Sequence, residues 1–255
     1  MIIIPARLKS TRFPNKVLIP IGGIPMVIRV ARIAQEIDRV VIATDEEEVR
    51  KVCKDYGFEA ILTAKNHDSG TDRIAECARI LDLAEDEIII NLQGDEPLIE
   101  KEVIQSLKNL MEEKAKCNGE LPFMGSCARA ISKEEAKDCN LVKVVLNASN
   151  EALYFSRSSI PYDREDKISD ITGTYWGHLG IYAFSGKSLQ EFCNLPKSIL
   201  EEIEKLEQLR ALEYGKCIIM AKVKSKSFGV DTPEDLKKIE EYLLNKEQNA
   251  VNRSF

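Results

Sequence analysis

The sequence has no apolar run approaching the roughly 18 residues that a membrane-crossing helix needs. Its opening strand-like MIII is cut short by Pro5, well before it could form the core of a signal peptide. A soluble, cytoplasmic protein without a membrane partner is expected. Histidine is scarce: His67 and His178 are too few and too far apart in sequence to suggest a metal cluster. The seven cysteines (Cys53, Cys77, Cys117, Cys127, Cys139, Cys193, Cys217) are an odd number, and no two stand closer than ten positions, so neither a CxxC redox pair nor a zinc knuckle can be read. Reduced, mostly buried thiols are expected, and any metal would be a hard ion held by oxygen. Two familiar phosphate loops are also missing. There is no GxxxxGK[ST], and no GxGxxG follows the first strand, which argues against a P-loop protein and a dinucleotide oxidoreductase.

Acid is absent from the beginning of the chain. The first 35 residues hold six basic side chains (Arg7, Lys9, Arg12, Lys16, Arg29, Arg32) and no carboxylate, which leaves 30 of the 36 basic residues against all 42 acids for the remainder, a net of −12. A nucleic-acid binder spreads positive charge over a broad face; here it is local, which suits a small polyanion better and predicts no nucleic-acid partner.

At 255 residues and 44% hydrophobic, the chain can bury a substantial core. We expect one domain over 1–244 and a frayed tail over 245–255, where NKEQNAVNRSF has little to bury. β-Branched runs at 1–4, 39–44, 59–63 and 87–93 alternate with helically spaced segments near 24–36, 46–56, 70–82 and 101–115. That alternation predicts an α/β fold with a mixed, mainly parallel sheet flanked by helices. Ligands of such sheets sit beyond the carboxyl ends of the strands. Past residue 120, MGSCARAI, LVKVVLN, ALYFS, HLGIYAF and CIIMAKV follow with fewer helices between them, predicting a mixed or antiparallel extension. EIEKLEQLRALEYG and TPEDLKKIEEYLLN read as late helices, the second with Thr232 as N-cap and Pro233 at its first position.

The loop PARLKSTRFPNK, residues 5–16, would be delivered to the ligand edge by the first strand. Arg7, Lys9, Arg12 and Lys16 on it would match a triphosphate, Arg through bidentate contacts and Lys as a point charge; a solvated loop serving solubility is the competing reading. NLQGDEPLI, residues 91–99, ends an apolar strand with Gly and two acids, which makes Asp95 a candidate magnesium ligand or an ordinary polar stop. Asp231 in GVDTPEDL has a similar setting. Two such acids and a basic loop describe metal-assisted nucleotidyl transfer if the fold unites them. Gly22-Gly23 reads as a turn into the helix that begins near Pro25.

IIIPARLKSTRFPNKVL, HDSGTDRIAE, NLQGDEPLI, VKVVLNASNEALYFSRSSIPYDR, HLGIYAF, EKLEQLRALEYG and GVDTPEDL occur in the order and at about the spacing of the 3-deoxy-manno-octulosonate (Kdo) cytidylyltransferases. From residue 2 to about 243 the chain resembles that family. The resemblance implies a nucleotide-diphospho-sugar transferase type of fold, CTP and Kdo as substrates, Mg2+, a homodimer, and a product that feeds lipopolysaccharide assembly. It assigns Arg7, Arg12 and Lys16 to the triphosphate, and Asp95 and Asp231 to magnesium. Ser69, Gly70 and Thr71 fall where the family contacts the cytidine, and Arg73 belongs to the same motif. Gln93, Arg157, His178, Tyr182, Glu207 and Gln208 align with sugar-acid contacts. Lys16, Arg12, Asp95 and Asp231 would carry catalysis.

Read without the resemblance, His178 and Tyr182 lie four apart in a strand and share a face as core residues with polar tips, while Glu207 and Gln208 could be solvated on an amphipathic helix. Asn15, Gly177 and Ile199 depart from the family pattern; Asn tolerates the positive φ of the Gly it replaces. An 8-amino-Kdo or nonulosonic-acid acceptor, or a nucleotide-binding regulator without turnover, are the alternatives. The polar stretch 166–176 is a candidate cover for the sugar, and His67 has no assigned role.

Overall fold

The computed structural model describes residues 1–8, 13–165, 174–230 and 232–252, with side chains as far as Leu243. Its first half alternates strand and helix as the sequence predicts: β1 (Ile2–Ala6), α1 (Met26–Ala34), β4 (Val40–Thr44), α2 (Glu47–Asp55), β5 (Glu59–Leu62), α3 (Gly70–Ile80), β6 (Ile88–Asn91) and α4 (Lys101–Asn118). A short hairpin, β2 (Pro20–Ile21) and β3 (Ile24–Pro25), precedes α1. Gly22 and Gly23 turn it at φ 54° and 77°, values that favour glycine because it has no Cβ to clash.

The second half supplies β7 (Met124–Ile131), β8 (Lys143–Leu146), β9 (Ala152–Ser156), β10 (Tyr175–Ser185), α5 (Gly186–Asn194), α6 (Ile199–Glu204), α7 (Gln208–Glu213), β11 (Ile218–Val223) and α8 (Pro233–Asn252). The sheet runs β11-β7-β10-β6-β1-β4-β5, with β8 and β9 attached alongside β10. Pairing is parallel for β1 with β4 and β6, β4 with β5, and β7 with β11; β10 lies antiparallel between β6 and β7. Only β10 therefore opposes the common direction along this path, and the antiparallel extension is β10 with the β8–β9 hairpin.

Period-two alternation explains the layering. Ile2 and Ile4 of β1, with Val40 and Ile42 of β4, face a core shared with α1, α2 and α4. Ile3, Val41 and Ala43 face the opposite core, shared with α3, α5 and α7. Both faces are covered, so these strands read as unbroken apolar runs rather than alternating ones. Truncating one fully buried member such as Ile3 to Ala would cost about 2–5 kcal/mol.

Two expectations are corrected. EIEKLEQLRALEYG is not one helix: α6 ends where Lys205 turns left-handed at φ 55°, and α7 restarts at Gln208. All seven cysteines are free thiols, but only Cys53, Cys77 and Cys127 are buried, while Cys117, Cys139 and Cys217 are exposed and Cys193 is intermediate. Those three exposed residues lie in the last turn of α4, in a loop, and just before β11, where no apolar layer covers them. At the C-terminal end, Thr232 caps α8 as expected: its hydroxyl accepts from the Asp235 amide at 3.2 Å and donates to Asp235 Oδ2 at 2.9 Å. The helical backbone continues through Asn252.

Candidate active site

Because β1, β4, β5, β6, β7 and β11 share a direction, their carboxyl ends deliver one set of loops to one edge. Arg7 leaves β1 exposed, and the chain returns through Asn15 at φ 58° into a 3-10 turn, Lys16–Leu18. Asn15 thus takes a positive φ, a region that Asn tolerates. Lys16 Nζ lies 2.5 Å from Asp95 Oδ2 and donates to the Val230 carbonyl at 3.0 Å. The Val230 amide in turn donates to the Asp95 carbonyl at 2.9 Å. Three segments some 80 and 130 residues apart, ending β1, β6 and β11, are thus joined at one point. Asp231 follows Val230 in sequence; Arg12, Asp231 and most of the 166–176 segment lie outside the described residues.

The second part of the edge is the start of α3. Ser69 forms a capping box with Asp72. Gly70 packs on Pro5: a Cβ there would lie 3.2 Å from the proline Cγ and 4.0 Å from Gln93 Oε1. Thr71 sits in a buried chain of hydrogen bonds. Its hydroxyl donates to Glu207 Oε1 at 2.6 Å and accepts from Asn91 Nδ2 at 3.1 Å, while Asn91 Oδ1 accepts from Gln93 Nε2 at 3.0 Å. Arg73 is buried within the edge, where protein groups already occupy its guanidinium. Its guanidinium, 2% exposed, pairs with Asp45 at 3.3 Å and donates to Thr63 Oγ1 at 2.6 Å, which ties α3 to the ends of β4 and β5.

Beside these groups lies a cavity of about 820 Å³. His178, Tyr182, Glu207 and Gln208 all line it, together with Gly229 and Thr232 from the segment around Asp231. His178 and Tyr182 do share a face. Between Leu179 and Tyr182, β10 carries two residues, Gly180 and Ile181, with no counterpart on β7, so the bulge leaves side-chain parity intact. The two rings lie 5.5 Å apart. Burial pushes His178 down to about 3, so the ring is neutral, and Ser126 Oγ meets its Nε2 at 2.9 Å. Burial also raises the Tyr182 phenol well above its ordinary value.

Gln208 is buried and Glu207 half-buried on the cavity wall, so neither stands on a solvated helix face. Burial raises the Glu207 carboxyl, with the Thr71 hydroxyl pulling the other way. Gln208, 1% exposed, meets the Tyr182 hydroxyl at 3.1 Å through one end of its amide, and the other end is buried without a hydrogen-bond partner. A buried amide group left unpaired costs free energy until something pairs with it. Arg157 lies behind the cavity wall: Nε donates to the Glu204 carbonyl at 2.8 Å and Nη1 to that of Cys139 at 3.2 Å. It braces the two stretches whose neighbours, Asp138 and Asn140 on one side and Lys205 and Leu206 on the other, line the cavity.

One cavity residue, Glu96, was not singled out by sequence reasoning. Burial, with Asp95 adjacent, pushes its carboxyl up to about 7, and Ser227 donates to it at 3.3 Å. The GDEP run carries it in plain view, but nothing local distinguishes its carboxylate from that of Asp95. His67 forms a short contact with Glu76, which also accepts from the Ala64 amide and so shapes the loop before Ser69.

Asp95 fits a hard cation: it offers partly exposed carboxylate oxygen at the sheet edge. Among the described residues no three His, Cys, Asp or Glu side chains are grouped to cage a metal. One or two carboxylates completed by substrate phosphates is how magnesium is held.

The cytidylyltransferase family model matches residues 1–218. A 3-deoxy-manno-octulosonate cytidylyltransferase of Wolinella succinogenes is 58% identical over 236 residues, covering 92% of this chain and 96% of that protein. Proteins of the same name from Nitratiruptor sp. and Helicobacter pylori are 57% and 52% identical, covering 94% and 92% of this chain and 98% and 94% of theirs. A solved CMP:2-keto-3-deoxy-manno-octonic acid synthetase complexed with CTP superposes with a TM-score of 0.86 at 38% identity, over 96% of this chain and 98% of that one. A putative glucose-1-phosphate thymidylyltransferase from Bacillus anthracis shares the fold at a TM-score of 0.64 and 15% identity, over 94% of each chain. The chain belongs to the 3-deoxy-manno-octulosonate cytidylyltransferases.

Proposed function

We propose that the chain activates Kdo: its anomeric 2-hydroxyl attacks the α-phosphorus of CTP, the new O–P bond forms as the bond to the β-phosphate breaks, and pyrophosphate leaves. The hydroxyl proton goes to solvent. The observation that carries this reading is the junction of Lys16, Asp95 and Val230 beside a cavity with a buried, unpaired Gln208 amide end. Cationic charge, a carboxylate and a cavity lie side by side there, which supports the reading.

Arg7, Arg12 and Lys16 hold the triphosphate, and the capped start of α3 at Ser69, Gly70 and Thr71 receives the cytidine. Arg73 acts from behind, through Asp45 and Thr63, to hold that helix in place. Gln93, His178, Tyr182, Glu207 and Gln208 receive the sugar acid, and Arg157 supports the wall around it. Asp95 and Asp231 would hold Mg2+, which would supply positive charge to the triphosphate and favour ionisation of the attacking hydroxyl. Lys16 is paired with Asp95; were Asp95 to hold a cation, the Lys16 ammonium would be left to serve the triphosphate. Negative charge moves onto the leaving group in the transition state, so positioned cations do most of the catalysis and no side chain acts as a nucleophile.

The product supplies lipopolysaccharide assembly, and the protein works in the cytoplasm as a homodimer. Ile199 and Ile203, 68% and 73% exposed, stand four apart on one face of α6, which supports such an interface.

The test is pyrophosphate release from CTP and Mg2+ with Kdo, 8-amino-Kdo or N-acetylneuraminate against a control without sugar. Kdo should give the highest kcat/KM. Tight CTP binding without release on any acceptor would replace transfer with regulation, and a preference for another acid would move the assignment of the sugar.

A further inference from the structure

The segment between β11 and α8 is fastened to the turn after β6 at three places. Glu100, the N-cap residue of α4, accepts from the Ser225 hydroxyl at 2.6 Å through Oε2 and from the Lys226 amide at 2.8 Å through Oε1. Ser225 also accepts from the Ser227 amide at 3.0 Å, and the Ser227 hydroxyl donates to Glu96 at 3.3 Å. The Val230 amide then meets the Asp95 carbonyl, and the Val230 carbonyl accepts from Lys16. Residues 225–230 therefore run alongside 95–100, with the candidate metal carboxylate of Asp95 at one end of the contact and Glu100 at the other.

We infer that Glu100 is a positioning residue: by clasping Ser225 and Lys226 it fixes where segment 225–230 crosses Asp95, and so sets the divalent-cation affinity of the site. This rests on the reading of Asp95 as a metal ligand. Segment 225–230 is otherwise weakly anchored. Lys224, Lys226, Phe228 and Gly229 are exposed, and of the stretch only Ser227 and Val230 are buried. Val230 fills a small apolar cluster with Ile21, Met26 and Ile239. That packing fixes the far end, while the charge-assisted pair at Glu100 fixes the near one. Both carboxylate oxygens of Glu100 are used, so Gln, which has one accepting oxygen, keeps half the clasp and Ala keeps none.

The clasp is separate from the substrate groups. Glu100 and Ser225 line a different, smaller hollow of about 410 Å³ and do not border the cavity beside His178. Removing the clasp should leave the metal-free CTP contacts in place and loosen the geometry around Asp95, together with the stretch of cavity wall that Ser227, Phe228 and Gly229 supply. Outer-sphere partners of a metal site are typically worth about 10–100-fold in metal affinity; one step removed from the ligand, Glu100→Ala should sit at about tenfold.

The experiment titrates Mn2+ into the full-length protein with saturating CTP and reads free Mn2+ by electron paramagnetic resonance, for the wild type, Glu100→Ala, Glu100→Gln, Ser225→Ala and Asp95→Asn. CTP affinity without metal is measured alongside. The inference predicts about tenfold weaker Mn2+ binding in Glu100→Ala, an intermediate loss in Glu100→Gln, and metal-free CTP affinity within about twofold of wild type. Ser225→Ala removes one bond of the clasp without altering the charge, and should also weaken Mn2+ binding. Wild-type Mn2+ affinity in Glu100→Ala and Ser225→Ala, with Asp95→Asn impaired, would overturn the clasp while sparing the metal reading. Unimpaired Mn2+ binding in Asp95→Asn would instead overturn that reading, and the clasp with it.

Discussion

Thr71→Val removes one hydroxyl and changes shape little, yet it should be among the most damaging single substitutions in the site. That hydroxyl gives its proton to Glu207 Oε1 at 2.6 Å and receives one from Asn91 at 3.1 Å, where Thr71 is 1% exposed and Asn91 fully buried. A hydrogen bond to a charged group contributes about 1.5–3 kcal/mol, and leaving the Asn91 donor unpaired costs about 1–3 kcal/mol more. Allowing for relaxation, a loss of about 3 kcal/mol is expected, or roughly 6–12 °C in the thermal midpoint of a chain this size. The deficit should grow with pH. Burial already raises the Glu207 carboxyl and the Thr71 hydroxyl lowers it, so the variant raises it further and binds protons in the folded state that the wild type has released. Melts at pH 5 and pH 8 would show it, with a larger deficit at pH 8 and a raised KM for Kdo. A midpoint within 1 °C of wild type at both pH values would refute the network.

Gln208→Leu should raise the KM for Kdo and cost about 1–3 kcal/mol of stability, because it strands the buried Tyr182 hydroxyl that donates to Gln208; a melt and acceptor saturation curves separate the two effects. Because folding drives His178 from its usual 6.5 to about 3, the unfolded chain binds a proton that the folded chain excludes, and stability falls as pH drops below 6.5. Between pH 7.5 and 5.5 that loss is on the order of 1 kcal/mol, and urea melts of His178→Phe should lack this part of the acid limb. Ile203→Asp should shift the light-scattering mass of the proposed homodimer toward the monomer; an unchanged mass would remove α6 from that proposed interface. Asp95→Asn should cut turnover by about 10²-fold or more with the fold intact, as deletion of one preorganised electrostatic group does.

Most of the scaffold was legible because its signals are local. β7 and β9 match the apolar runs MGSCARAI and ALYFS residue for residue, and the four early strands and helices fall within a few residues of their periodic segments. Lys205 broke the expected late helix without a glycine or proline to announce it; a lysine in the left-handed region has no distinctive sequence signal. The bulge at Gly180 and Ile181 was likewise hidden, since an even number of extra residues leaves the apolar pattern unchanged.

The site was legible in residue type and obscure in partnership. PARLKSTRFPNK and NLQGDEPLI indicated charge, but only the fold brings Lys16 to Asp95 and to the Val230 carbonyl, 214 positions away. Arg73 looked like one more cation for the nucleotide, and its burial against Asp45 depends on the ends of two other strands. Thr71 and Glu207 are 136 positions apart, and no spacing rule connects them.

The central claim is transfer of CMP to Kdo, and following the products by 31P NMR tests it most directly. With CTP, Mg2+ and Kdo, the account predicts a new phosphodiester resonance that grows in step with one equivalent of pyrophosphate, and no CTP consumption when Kdo is withheld. Persistent CTP in the complete mixture, or CMP and pyrophosphate formed by hydrolysis without sugar, would contradict it.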